Sequence, residues 1–215
     1  MTALKNWQIM PKELFAMGPI VPVLVINKVE DALPIAEALL AANIKVLEVT
    51  LRTPAALDVI SIIAKELPEA VVGSGTVTNR HQYQQSIDAG AKFAISPGLT
   101  TDLLKAGNEG SIALIPGVSS ISELMTAKDL GYTHLKFFPA EASGGVQALK
   151  SIGGPFPEVR FCPTGGINLG NYKDYLSLSN VLCCGGSWLC PDSVVKEKRW
   201  DEITRLAKEA VAGQK

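Results

Sequence analysis

The chain has 215 residues, 47% of them hydrophobic and 19% charged, with a formal net charge of −1. That balance fits one soluble globular domain, residues 1–215, with a sizeable core, and a near-neutral chain without a basic run argues against nucleic acid as a partner. No apolar run reaches roughly 18 residues and the N-terminus lacks a charged-then-apolar signal, which sets aside membrane and secretory readings and makes the cytoplasm the default.

Residues 6–17, followed by Gly18-Pro19, read as a short N-terminal helix that caps one end of the fold. Beyond it, apolar strand-like runs at 20–26, 45–51, 70–76, 92–96, 112–116, 134–138, 159–164 and 181–186 alternate with amphipathic helical stretches. The helices fall at 31–42, 54–67, 79–89, 100–109, 119–130, 145–152, 171–178 and 200–212. Near-continuous apolar strands call for a parallel sheet covered by helices, and eight strand–helix units close most naturally into a (β/α)8 TIM barrel, here with an extra N-terminal helix. A doubly wound open sheet is the alternative, but no GxGxxG opens a helix after the first strand.

The four cysteines, Cys162, Cys183, Cys184 and Cys190, include an adjacent pair and no CxxC, a pattern of reduced, mostly buried thiols. His81 and His134 are the only histidines and lie in unrelated segments, so a three-histidine catalytic zinc is impossible.

In a barrel the active site lies at the C-terminal ends of the strands, which singles out HLKFFPAE at 134–141. His134, Lys136 and Phe138 share one strand face, so Lys136 is a lone amine in an aromatic, apolar strand that ends at Phe138-Pro139. Desolvation there disfavours the ammonium, and a free amine is what attacks a carbonyl to form a Schiff base. A strand-end lysine of this kind adds little packing, so its loss is expected to leave the fold intact. In VLEVTLR (46–52), Leu47, Val49 and Leu51 should face the helices while Glu48, Thr50 and Arg52 point inward. Buried charges are costly unless paired or working, so Glu48 reads as a proton shuttle and Arg52 as a fork for a carboxylate; mutual pairing, or pairing with Lys136, is the bland alternative.

Thr76 ends the third strand after Gly73–Gly75, and Ser96-Pro97-Gly98 ends the fourth; each alone is a weak loop signal. Thr164-Gly165-Gly166 after the seventh strand and Gly185-Gly186-Ser187 after the eighth suit a phosphate cradle built from exposed amides. Glu141 reads as a solvated or capping acid, and His134 as a hydrogen-bonded core histidine.

EVTLR (48–52), GSGT (73–76), SPG (96–98), IPGVSS (115–120), KFFPAE (136–141), RFCPTGGI (160–167) and GGSW (185–188) together resemble the class I 2-keto-3-deoxy-6-phosphogluconate (KDPG) and 4-hydroxy-2-oxoglutarate (KHG) aldolases over nearly the whole chain. The resemblance implies a Schiff-base lysine at Lys136, a general acid/base at Glu48 and a pyruvyl-carboxylate ligand at Arg52. It further implies a pyruvate pocket lined by Thr76, Pro97, Phe138 and Thr164, and phosphate-binding loops at Gly165, Gly166, Gly186 and Ser187. A homotrimer, a small-molecule keto-acid phosphate substrate and a place in the Entner-Doudoroff pathway follow from the resemblance alone. Ser74 stands where relatives often carry alanine. Two other functions remain open: an aldolase of this family preferring an unphosphorylated 4-hydroxy-2-oxo acid, and a barrel that binds sugar phosphate without turnover.

Overall fold

The computed structural model describes residues 6–212, and the ends of the expected 1–215 domain lie outside them. After helix α1 (Pro11–Ala16), the strands are β1 (Ile20–Leu24), β2 (Val46–Thr50), β3 (Val71–Gly75), β4 (Phe93–Ile95), β5 (Ala113–Ile115), β6 (Gly117–Val118), β7 (His134–Phe137), β8 (Arg160–Pro163) and β9 (Cys184–Gly186). The helices between and after them are α2 (Ala32–Leu40), α3 (Ala56–Glu66), α4 (Arg80–Asp88), α5 (Thr101–Glu109), α6 (Ile121–Asp129), α7 (Gly145–Ile152), α8 (Tyr172–Leu176), α9 (Asp192–Lys196) and α10 (Trp200–Ala212). Side-chain caps fix several starts: Asn79 and Thr100 accept from the Gln82 and Leu103 amides, and Ser120 with Glu123 forms a reciprocal capping box.

Every strand pairing is parallel. Six strands run in the order β5-β4-β3-β2-β1-β9 and three in the order β6-β7-β8. Isolated parallel bridges, Phe161 with Val181 and Thr164 with Gly185, link the β8 and β9 regions. The architecture is α/β, with a curled parallel sheet under a layer of helices.

Two apolar regions follow from strand alternation. Leu47 and Val49, fully buried, pack with the helices on the outer face, while Val46, Val21, Phe93, Ile95, Cys162 and Cys183 form a separate inner cluster. Leu14 and Phe15 of α1 join that inner cluster, and the Phe15 ring meets His134 edge-on at 5.6 Å. Helix α1 therefore plugs the end where the strands begin, burying two large side chains worth about 1.5–3 kcal/mol each. The opposite end stays open for chemistry.

The departures from the sequence reading have local causes. The expected strand 112–116 breaks at Pro116, which has no amide hydrogen to donate; β5 pairs with β4, and β6 pairs instead with β7. That break separates the two ladders on one side, and on the other only the isolated bridges join them. The N-terminal helix starts only at Pro11, suited to a first helical position, rather than at residue 6. The last strand begins at Cys184 instead of 181, and α9 occupies a stretch for which the sequence reading gave no element.

Candidate active site

Strand β2 brings a carboxylate into the interior. Glu48 pairs in register with Val23 on one side and Gly73 on the other, and is 1% exposed. Space for its side chain comes from Gly75: a Cβ there would lie 2.7 Å from Glu48 Cγ and 2.8 Å from Cδ, so only glycine leaves the carboxylate in place. Lys136, on β7 and 5% exposed, reaches across to put Nζ 3.1 Å from Glu48 Oε1 and 5.3 Å from the Phe138 ring centroid. Its own amide donates to the carbonyl of Pro116, the residue that breaks the neighbouring strand. Amine and acid thus form a hydrogen-bonded pair shielded from water.

Arg52 lies beyond the end of β2 and is exposed at the mouth. Its Nε donates to Thr50 Oγ1 at 3.1 Å, and the Thr50 hydroxyl in turn donates to the Leu24 carbonyl at 2.8 Å. A buried hydroxyl therefore aims the guanidinium, leaving Glu48 to pair with Lys136. Thr50 was visible as an inward-facing residue but had no role from sequence; the signal was its place between Glu48 and Arg52.

These groups line one cavity of ≈ 250 Å³, together with Thr76, Pro97, Phe138 and Thr164. Thr76 holds φ at 61°, a left-handed backbone that costs a β-branched residue about 1–3 kcal/mol. Pro97 is pinned by Ser96, whose Oγ donates to the Gly98 carbonyl at 2.6 Å and accepts from the Gly117 amide at 3.3 Å. Gly165 and Gly166, with φ of 100° and 78°, border the cavity, as do Gly185 and Ser187. Gly186 does not border it; it pairs with Pro22 inside the sheet, one residue past the glycine that does. Alternation along β9 held that distinction. Val23 and Ile167 complete the lining without any prior signal beyond position.

Residues set aside by the sequence reading stay outside the cavity. His134 lies at the plugged end against Phe15, with Nδ1 3.1 Å from the Thr133 hydroxyl. Glu141 is exposed, and its carboxylate accepts a hydrogen bond from Tyr175. Three of the four thiols are buried. Burial pushes the Cys183 and Cys184 thiols well up and Cys190 up to about 12, so none of these three is a poised nucleophile. Among the described residues no group of three or more His, Cys, Asp or Glu is placed to hold a metal ion.

Fold and site together define a class: an α/β protein with a buried amine–carboxylate pair at the carboxyl ends of parallel strands. Comparison with known proteins narrows it. The family model for KDPG and KHG aldolase matches residues 12–206. A 2-dehydro-3-deoxy-phosphogluconate aldolase of Pseudoalteromonas atlantica is 65% identical over 209 residues, covering 97% of each chain. A KHG/KDPG aldolase of Escherichia coli K12 is 57% identical over 212 residues, 99% of this chain and 100% of the relative. The crystal structure of a Legionella pneumophila KDPG aldolase, with pyruvate captured at low pH as a covalent carbinolamine intermediate, superposes with a TM-score of 0.94 at 51% identity, covering 95% of this chain and 100% of that one. The chain belongs to the KDPG and KHG aldolase family.

Proposed function

We propose that the chain is a class I, Schiff-base aldolase that cleaves 2-dehydro-3-deoxy-6-phosphogluconate to pyruvate and D-glyceraldehyde 3-phosphate, and 4-hydroxy-2-oxoglutarate to pyruvate and glyoxylate. The observation that carries the reading is the 3.1 Å contact between the Lys136 amine and the Glu48 carboxylate inside a chain of this family. Passing one proton across that contact frees the amine. Lys136 then adds to the keto carbon, and loss of water from the carbinolamine gives a protonated imine that accepts electrons. Glu48 takes the proton from the hydroxyl two carbons away, the carbon–carbon bond breaks, and the aldehyde leaves. The enamine left on Lys136 is protonated and hydrolysed, returning the amine and releasing pyruvate. General acid–base help of this kind typically contributes about 10²- to 10⁴-fold.

In this reading Arg52 holds the substrate carboxylate at the mouth, and Thr76, Pro97, Phe138 and Thr164 surround the pyruvyl group. The loop carrying Gly165 and Gly166 and the end of β9 take the phosphate, with Gly185 and Ser187 rather than the sheet-paired Gly186 bordering the cavity. That end of the cavity is lined by amides and a hydroxyl, the cations being Lys136 and Arg52, so a keto acid without a phosphate leaves no cation unpaired there. No metal or other cofactor enters the scheme.

The larger architecture belongs to the same proposal. Counting β5 and β6 as one strand interrupted at Pro116, and closing the cylinder through the bridges between the β8 and β9 regions, gives one eight-stranded (β/α)8 barrel domain with α1 as its plug. We also propose a homotrimer in the cytoplasm; exposed Ile121 and Met125 on α6, 43% and 53% accessible, suit an interface between copies. Comparing kcat/KM on the phosphorylated and unphosphorylated substrates tests the activity. Turnover of neither would remove the reading in favour of a non-catalytic sugar-phosphate-binding protein, and light scattering of the purified protein checks the trimer.

A further inference from the structure

The Gly165–Gly166 loop does not hold itself. From below, the Ala140 amide donates to the Thr164 carbonyl at 2.8 Å and the Glu141 amide to the Gly165 carbonyl at 3.1 Å. The Glu141 side chain then runs directly beneath Gly166: a Cβ at 166 would lie 2.5 Å from Glu141 Cγ and 2.7 Å from its Cβ. The carboxylate of this exposed residue is held at its far end by the phenol of Tyr175, a fully buried side chain on α8 that donates to Oε1. Burial and the neighbouring carboxylate push that phenol upward, so it remains a donor. From the other side the Gly166 carbonyl accepts from the Asn171 and Asn168 side-chain amides at 3.1 and 3.3 Å.

Glu141 also lies five residues after Lys136, in the short segment that carries the amine at its other end. A phenol anchored in the helical layer therefore fixes, through one carboxylate, the distance between the loop's amides and the amine.

We propose that Glu141 and Tyr175 are positioning residues: a strut that sets the Gly165–Gly166 loop for a phosphate group and so determines preference for phosphorylated over unphosphorylated substrate. The proposal rests on the assignment of that loop to phosphate. A carboxylate directly under an anion site is otherwise unfavourable, and its engagement by Tyr175 away from the cavity explains how the loop tolerates it. Neither residue touches the reacting atoms.

The test is steady-state kinetics on KDPG and KHG for the full chain and four variants. Tyr175→Phe keeps the buried ring and loses only the donor. It is expected to raise KM for the phosphorylated substrate by roughly ten- to a hundredfold, as misplacement by about 1 Å does, with its kcat and both constants for the unphosphorylated substrate unchanged. Glu141→Ala, on the surface, is expected to do the same. Glu141→Gln, whose amide oxygen still accepts from the phenol, is expected to retain most of the preference. Ser187→Ala separates the two levels of the argument. If Ser187→Ala lowers the phosphate preference while Tyr175→Phe and Glu141→Ala do not, the strut is wrong and the phosphate loop stands. If the unaltered chain shows no phosphate preference, both fail. Equal losses on the two substrates in Tyr175→Phe and Glu141→Ala would make the pair merely structural and overturn the proposal.

Discussion

Gly75→Ala is a single methyl aimed at the catalytic pair. Gly75 is the last residue of β3 and keeps an ordinary strand backbone, so alanine meets no conformational penalty there. The added Cβ lies 2.7 Å from Glu48 Cγ and 2.8 Å from Cδ, against about 3.5–4.0 Å for carbon atoms at rest. Glu48 is 1% exposed, with the cavity on its open side, so relief requires the carboxylate to move roughly 1 Å into that space and away from its present position beside Lys136. A shift of that size costs about 10²-fold in a proton-transfer step, equivalent to ~2.7 kcal/mol in the barrier, and overpacking removes a further ~1–3 kcal/mol from stability. Pyruvate release from KDPG, followed continuously, should fall about a hundredfold, while pyruvate should still be trapped on Lys136 by borohydride because the amine itself is not displaced. Gly18→Ala, with nothing within 4 Å of the new methyl, is the control and should change neither. A Gly75→Ala enzyme with wild-type turnover would refute the placement of Glu48 as the working acid/base.

Three further outcomes are expected. Lys136→Ala abolishes turnover and, because it strips a carboxylate that is 1% exposed of its partner, destabilises the protein by about 3–5 kcal/mol in urea titration at neutral pH; adding Glu48→Gln should recover part of that loss, and a single variant as stable as the parent would contradict the buried pair. Thr50→Val removes the hydroxyl that aims Arg52 and should raise the KM for pyruvate in the condensation direction about tenfold with kcat little altered, in line with ~1.5 kcal/mol for a hydrogen bond to a charged group. Stability should fall with alkali: the Cys183, Cys184 and Cys190 thiols are all raised from an ordinary 9.0, so above pH 9 the unfolded chain releases protons that the folded chain retains. Each such thiol contributes a decline of about 1.4 kcal/mol per pH unit until its folded value is reached, and a urea midpoint that is flat from pH 8 to about 10.5 would show these thiols to be accessible.

Much of the site was legible because strand alternation is strict. Glu48 and Lys136 were placed on inward faces by parity alone, and the helices covering Leu47 and Val49 follow from the same rule. What alternation could not reveal was pairing across the interior. The sequence reading left Glu48 open to Arg52 or Lys136, and only the crossing of β2 and β7 sets 3.1 Å to the lysine and sends Arg52 to Thr50. The same contact revises the expectation that Lys136 is dispensable for folding, since packing is not what it supplies. Pro116 was visible as a strand end, yet its consequence, a register break that hands the second half of the strand to β7, depends on the neighbouring ladder. Gly75 carried only a weak loop signal and a place in the GSGT motif: its need for glycine comes from a side chain on the adjacent strand, 27 residues earlier in the chain. Likewise Gly185 and Gly186 are equivalent as letters, and the register with β1 decides which one borders the cavity.

The central claim is a covalent one: the amine of Lys136 becomes the imine nitrogen. Incubation of the protein with pyruvate and sodium borohydride, followed by mass mapping of the peptides, tests it most directly. One reduced pyruvyl adduct per chain, on the peptide carrying Lys136 and missing from Lys136→Ala, is the expected result. An adduct on any other lysine, or turnover of substrate with no adduct at all, would contradict the account.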